Sequence, residues 1–203
     1  MREEFLIEVY RQMMNDINRH IMVVWQSIGV LVGAFALFAL VEKKVVSADI
    51  ACSIIILLCG WLWAHLVDAG YWYNRNLAII SNIERQFLTQ GDLKNIHYYF
   101  GSHRPTNKMI THLRIQLALG LGLSLLVMIY HFTSRVLPGM TPEATFDPQR
   151  ALPYFFSTAV IIYCLFLGRS RNRAYQEFLI NSPGVPVSTD GIKYGPGHGH
   201  KPK

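Results

Sequence analysis

Charge is sparse in this sequence. Asp, Glu, Lys and Arg make up 16% of its 203 residues, and four stretches are uncharged or nearly so: Ile21–Val41, Ile50–Val67, Ile115–Phe132 and Ala151–Gly168. Each is about as long as a helix that crosses a hydrocarbon core, roughly 17–25 residues. Together with their connections they use up most of the chain, so no second globular domain of ordinary size fits. Signature motifs are missing as well. There is no H-E-x-x-H, G-x-S-x-G, P-loop or G-x-G-x-x-G, which removes the usual metalloprotease, serine-hydrolase and nucleotide-binding readings. A membrane enzyme needs paired carboxylates, or a nucleophile beside a base, near the interface. No such set is apparent, so no catalytic residue, cofactor or metal is expected. Cysteine is scarce: Cys52, Cys59 and Cys164 all fall inside apolar stretches, where a thiol behaves as a small hydrophobe and a disulfide framework is improbable. Neither Pro nor Gly occurs before Gly29, so nothing breaks a helix there.

These features predict an all-α polytopic membrane protein with four transmembrane helices, the first two extended beyond the membrane. The first 20 residues are too long and too acidic for a signal n-region, with Glu3, Glu4, Glu8 and Asp16 among the arginines. The first stretch therefore reads as a retained span. Fifteen of the 19 Lys and Arg lie in the N-terminal segment, between residues 68 and 114, or after the fourth stretch; only Lys43, Lys44, Arg135 and Arg150 lie on the other side. Positive residues stay in the cytoplasm, which predicts cytoplasmic N- and C-termini in a bacterial inner membrane or a plasma membrane. The net charge of +6 is then a topological signal that also attracts anionic headgroups. Nucleic acid is not an expected partner, because the basic residues are spread over three segments.

The cytoplasmic segments are the patterned part. Leu6, Tyr10, Met13 and Ile17 recur at helical spacing in residues 2–20. After the second span the helix should continue to about residue 90. There Tyr73, Leu77, Ile80, Ile83 and Phe87 form an apolar stripe, and Asn74, Arg75, Asn82, Arg85 and Gln86 face elsewhere. The two stripes match, so the extensions should pack together as a small coiled layer. Asn76 and Glu84 intrude into the stripe, where a buried polar group can fix register and oligomeric state. Arg75 and Arg85 either pair with acidic neighbours or are simply solvated. Gly91 and Asp92 should end this helix. Residues 133–150 read as a plain extended outer loop, and 183–203 as a flexible tail.

Candidate sites are few. His65 and Asp68 share a face at the inner end of span 2, as a proton-sensitive pair or as plain helix-end anchors. Gln26 and Ser27 are the polar side chains of the inner half of span 1, available for a pore or for helix packing. No span shows a polar stripe along its full length, so a pore inside one subunit is not expected. Gly29 and Gly33 have the G-x-x-x-G spacing that lets helices approach closely, with intrachain packing favoured over a second copy. Gly120 and Ser124 repeat that small face on span 3. His97, His103, His112, His198 and His200 match no zinc signature, and Tyr98, Tyr99 and Phe100 beside Arg104 read as interfacial anchors. The expected function is that of a non-enzymatic, homo-oligomeric membrane effector or signalling subunit, which couples a cytoplasmic protein partner to a membrane event. The alternatives are an ion channel or small transporter with its pore between subunits, and a membrane anchor or assembly subunit of a larger complex.

Overall fold

The computed structural model describes residues 1–89, 91–96, 98, 106–141 and 147–181. His97, His103, Tyr99, Phe100, Arg104, His198, His200 and the tail from residue 183 lie outside them. Among the described residues the chain is all α: α1 (Arg2–Ala34), α2 (Leu37–Glu42), α3 (Ala48–Phe87), α4 (Asp92–Asn95), α5 (Thr111–His131) and α6 (Leu152–Asn181). Four helical segments are long and apolar enough to cross a membrane: Arg2–Glu42, Ala48–Phe87, Thr111–Gly139 and Pro148–Asn181. Two compact units divide the chain, one built from Met1–Ile21, Gly70–Lys108 and Ser170–Lys203, the other from Met22–Ala69 and Met109–Arg169.

In the first unit the apolar stripes of α1 and α3 meet. Ile17, Leu77 and Ile80 are buried together, with Tyr10, Met13, Met14, Ile21 and Tyr73 packed around them. The Tyr10 hydroxyl donates to Glu84 Oε1 at 3.3 Å across the pair. Ile83 is buried as well, whereas Leu6 and Phe87 lie at the edge of the contact. Ile7, Tyr10, Ile83, Glu84, Phe87, Leu88 and Ile96 line a groove of ≈ 230 Å³ there. Asn74 faces away from the stripe, but not toward water. It is buried, and its amide donates to the carbonyls of Gly70 and Lys108 and to Asn107 Oδ1 at 2.9–3.1 Å. Among the described residues Arg75 lies against aromatic rings, 5.0 Å from the Trp72 ring centre and 5.6 Å from that of Phe178. The ring quadrupoles attract its charge. Phe178 belongs to α6, which runs on past the fourth apolar stretch.

Asp92 does not end α3, which stops at Phe87, but opens α4. The backbone N–H and hydroxyl of Thr89 donate to its carboxylate at 2.8 and 2.7 Å, and its own N–H donates back to the Thr89 hydroxyl. This is the reciprocal capping that satisfies free donors at a helix start. The two bonds from Thr89 hold the Asp92 carboxyl below its ordinary range.

The second unit contains the apolar stretches. Span 1 is not one continuous helix. At Phe35–Ala36 the backbone tightens to i→i−3 bonds, Ala36 N–H to Gly33 O and Phe38 N–H to Phe35 O, before α2 resumes. Phe35 meets Phe38 at a tilt, and Phe38 meets Tyr130 edge-on, beside this turn. The helix then closes on a left-handed Lys44 (φ 57°), with Val45 N–H bonded to Leu40 O and Lys44 N–H to Val41 O, the bonding of a Schellman motif. Three residues on, Ser47 Oγ accepts from Ile50 N–H and caps α3. Val24, Leu31, Ile55, Leu62, Leu66, Leu113 and Val127 form the core between these helices.

Candidate functional site

The most concentrated polar chemistry in the second unit is the pairing of Asp49 with His131. Both side chains are 0% exposed. Asp49 lies in the first turn of α3, where the helix dipole favours an anion, and His131 is the last residue of α5. His131 Nε2 is 2.9 Å from Asp49 Oδ1. Arg135 grips the same carboxylate with two donors, Nε to Oδ1 at 3.2 Å and a terminal nitrogen to Oδ2 at 2.8 Å. Such forked pairs are the strongest and most directional of carboxylate contacts. The other ring nitrogen, His131 Nδ1, is 3.3 Å from the Tyr154 hydroxyl on α6. Beyond Arg135, Asp147 is 3.9 Å away and pairs with Arg150 at 3.6 Å.

Local folding places each group. The chain leaves α5 through a π-helical turn, Phe132–Val136, whose extra residue per turn carries Arg135 onto the face that His131 already uses. Asp147 caps the turn Pro148–Ala151 by accepting from Gln149 N–H, which fixes the entry to α6 and with it Tyr154. The expected plain outer loop is therefore ordered at both ends by charge. With His131 neutral, every polar atom on its ring is satisfied: Nε2–H donates to Asp49, and Nδ1 accepts from Tyr154.

The residues singled out from sequence are placed less tightly. Gln26 is exposed, and Ser27 is buried with its hydroxyl bonded to its own helix at Val23 O. His65 is half-buried with its ring edge-on to Trp61 at 4.6 Å, and Asp68 is half-buried one turn later. Asn76 is buried within the stripe, and its amide has no hydrogen-bond partner among the described residues. Among the described residues, no neighbour packs at the Cβ positions of Gly29 and Gly33, where an intrachain contact was expected. A side chain at either position would meet nothing within 4 Å, whereas one at Gly120 would strike the Trp63 indole, 2.7 Å from Nε1. Ser124 is buried beside Cys59.

The Asp49–His131–Arg135 cluster was not singled out from the sequence. Its signal was present: the only histidine of the third apolar stretch, an arginine four residues later, and an aspartate at the threshold of the second stretch. Among the described residues no cluster of metal-ligating side chains occurs. The fold and this site define an all-α protein with four helices able to cross a membrane, carrying a buried ion-pair cluster where three of them meet. No protein-family model, curated protein or solved structure matches the chain.

Proposed function

We propose that the chain is a non-enzymatic, homo-oligomeric multi-pass membrane protein whose first unit lies in the cytoplasm and receives a protein partner or signal. The observation that carries this reading is the continuity of two helices. α1 and α3 each run unbroken from the first unit into the second over 33 and 40 residues. The two units therefore share α1 and α3, the covalent connection that a signal received by one would use to reach the other. The groove beside Phe87 and Ile7 supplies apolar surface on the receiving side. The experiment is ion flux through the purified protein in liposomes, with and without cytoplasmic extract, for the native chain and for Phe87→Asp and Ile7→Asp. Both positions are substantially exposed, so the changes leave the core alone. Flux that rises with extract in the native chain and not in the variants is the expected result. No response to extract in any sample would move the reading to an anchoring or assembly role.

The channel reading keeps one observation of its own. Gln26 is exposed on a span, on the helix face that also carries the open Gly29 and Gly33. A polar amide facing lipid is costly, and a second copy or a pore between copies would relieve that cost. Extract-independent flux abolished by Gln26→Leu would favour it.

A further inference from the structure

Two cavities adjoin the Asp49 cluster in the second unit. Beside the turn at Phe35–Ala36 lies a cleft of ≈ 530 Å³, walled by Phe35 and Phe38 on one side and by Leu126, Val127 and Tyr130 of α5 on the other. Its lining is apolar except for Glu42, at the end of α2, and the Tyr130 hydroxyl. Val127 is buried, whereas Leu126 and Tyr130 are 63% and 43% exposed, so the cleft opens on the face of α5 turned away from the core. The second cavity, of ≈ 510 Å³, gains polar groups from Lys44, Ser47, Ser134 and Arg135. Val41 and Tyr130 line both, so the two form one groove, apolar at one end and basic at the other. Each is as large as an ordinary ligand pocket, ~300–1,000 Å³.

Both cations of the basic end can reach an anion. Asp49 takes the Nε–H and one terminal N–H of Arg135, which leaves further donors on the guanidinium fork, and the side chain is 36% exposed. Lys44 is exposed, and its backbone is a second clue. It holds the left-handed position that closes α2 (φ 57°), where glycine is the usual residue because an L side chain is strained there. Glycine would make the easier cap; lysine keeps the cap and brings a charge to the groove. Ser47 accepts from Ile50 N–H, and its own hydroxyl hydrogen remains to donate. Asp49 and Glu42 balance Lys44 and Arg135 in number. What the groove recognises is therefore a phosphate in contact with donors, and not net negative charge.

We infer that this groove seats one glycerophospholipid from the leaflet that meets the turn between α2 and α3. An acyl chain lies in the cleft against Phe35, Phe38 and Leu126, and the phosphate sits between Lys44 and Arg135. Arginine and lysine are the side chains suited to a phosphate, the first as a fork and the second as a point charge. Tyr130 stands where the two ends of the groove meet, with a ring for the chain and a hydroxyl for the ester region, as tyrosines do where hydrocarbon meets headgroups. From Leu126 to Ser134 the helix rises by roughly 12 Å, so the basic end belongs to the last turns of the span, at headgroup depth. The buried Asp49 then has a use: it fixes the guanidinium of Arg135 where the phosphate meets it. A free phosphate would leave the cleft unfilled. A second copy of the chain would have to bring an anion to Lys44 and Arg135 together with its apolar side chains.

The site rests on the reading of the chain as a membrane protein, and not on its coupling to a partner. Native mass spectrometry of the detergent-solubilised protein, titrated with dioleoylphosphatidylglycerol, tests it. One lipid per chain should bind, and dioleoylphosphatidylethanolamine should bind about as well. Dioleoylglycerol, which lacks the phosphate, and glycerol phosphate, which lacks the chains, should each bind about tenfold more weakly or worse. Lys44→Gly suits the left-handed backbone, so circular dichroism and thermal unfolding should show the fold kept. It should weaken both phospholipids about fivefold and leave dioleoylglycerol unchanged. Leu126→Trp narrows the cleft from its exposed edge and should weaken all three lipids. Glycerol phosphate bound as tightly as the phospholipids would make this an anion site and overturn the lipid. Phospholipid binding that ignores Lys44→Gly would overturn the site as well. No bound lipid, with Leu126→Trp lowering the mass of the detergent complex, would give the cleft to a second copy. A chain that does not fractionate with membranes would remove the membrane reading and the site with it. Loss of the site in a membrane-integrated chain would leave that reading intact.

Discussion

At the scale of single residues, Asp49 carries the greatest consequence. A carboxylate removed from water costs several kcal/mol unless it is paired, and removing one partner of a fully buried pair costs about 3–5 kcal/mol. Arg135 is 36% exposed, so water can take part of its place. Arg135→Ala should therefore cost somewhat less, about 2–3 kcal/mol. The paired replacement Asp49→Leu with Arg135→Met should be milder than the single change, because it leaves no orphan charge. Unfolding of the detergent-solubilised protein measures both, and a single variant indistinguishable from native would mean that His131 alone satisfies the carboxylate. Sequence reasoning reached such residues unevenly. Tyr10 and Glu84 were legible because helical periodicity put them on facing stripes. Asp49 and His131 were not, since they are 82 positions apart and only the antiparallel packing of α3 on α5 joins them.

At the scale of elements, periodicity was the most informative signal. The pairing of residues 2–20 with the C-terminal part of α3, both in the first unit, followed from two matched stripes. The structure realises it in the Ile17, Leu77 and Ile80 cluster. Disulfide crosslinking of Met13→Cys with Ile80→Cys, in a background without Cys52, Cys59 and Cys164, should proceed rapidly. Truncating Leu77 to Ala should cost about 2–5 kcal/mol, as for other buried aliphatic side chains, and should lower the protection of α1 amides against exchange. Crosslinking that fails at accessible cysteines would separate the two helices. What the pattern could not show was the turn at Phe35–Ala36. Hydropathy is blind to a local switch in hydrogen bonding, and Ile21–Val41 reads as one span although its helix is interrupted. The buried polar residues of α5 were hidden for a similar reason. Gln116, Ser124 and His131 are spread thinly through an apolar run, and only their shared face makes them a stripe.

At the scale of the whole molecule, number of copies is the open coordinate. In lipid, helices gain little from burying apolar surface, and close backbone approach and polar contacts decide association. Gly29 and Gly33 offer both the spacing and an unobstructed face. Gly29→Ile should leave insertion and the intrachain fold unchanged, since nothing stands where its side chain would go. It should shift the protein to a smaller species in light scattering of the detergent complex. An unchanged mass would place the assembly contact elsewhere. Four helices long and apolar enough to cross a membrane were legible from length and hydropathy, because a hydrocarbon core sets the length that such a helix needs. Association between copies was not, because a symmetric contact would leave no mark on one copy beyond the surface it needs.

The π-helical turn after His131 has a bearing on how this chain can change over generations. An ordinary helix separates residues four apart by about 40° around its axis, and the wider turn draws them closer into line. Deleting Phe132, Thr133 or Ser134 would restore ordinary winding and shorten nothing that the apolar core needs. The protein would still insert and still fold. Its arginine would point away from the aspartate, however, so the segment is open to insertion or deletion as far as shape is concerned and closed to it as far as charge is concerned. Length variation in this turn should therefore travel with loss or relocation of the acidic residue at the start of α3.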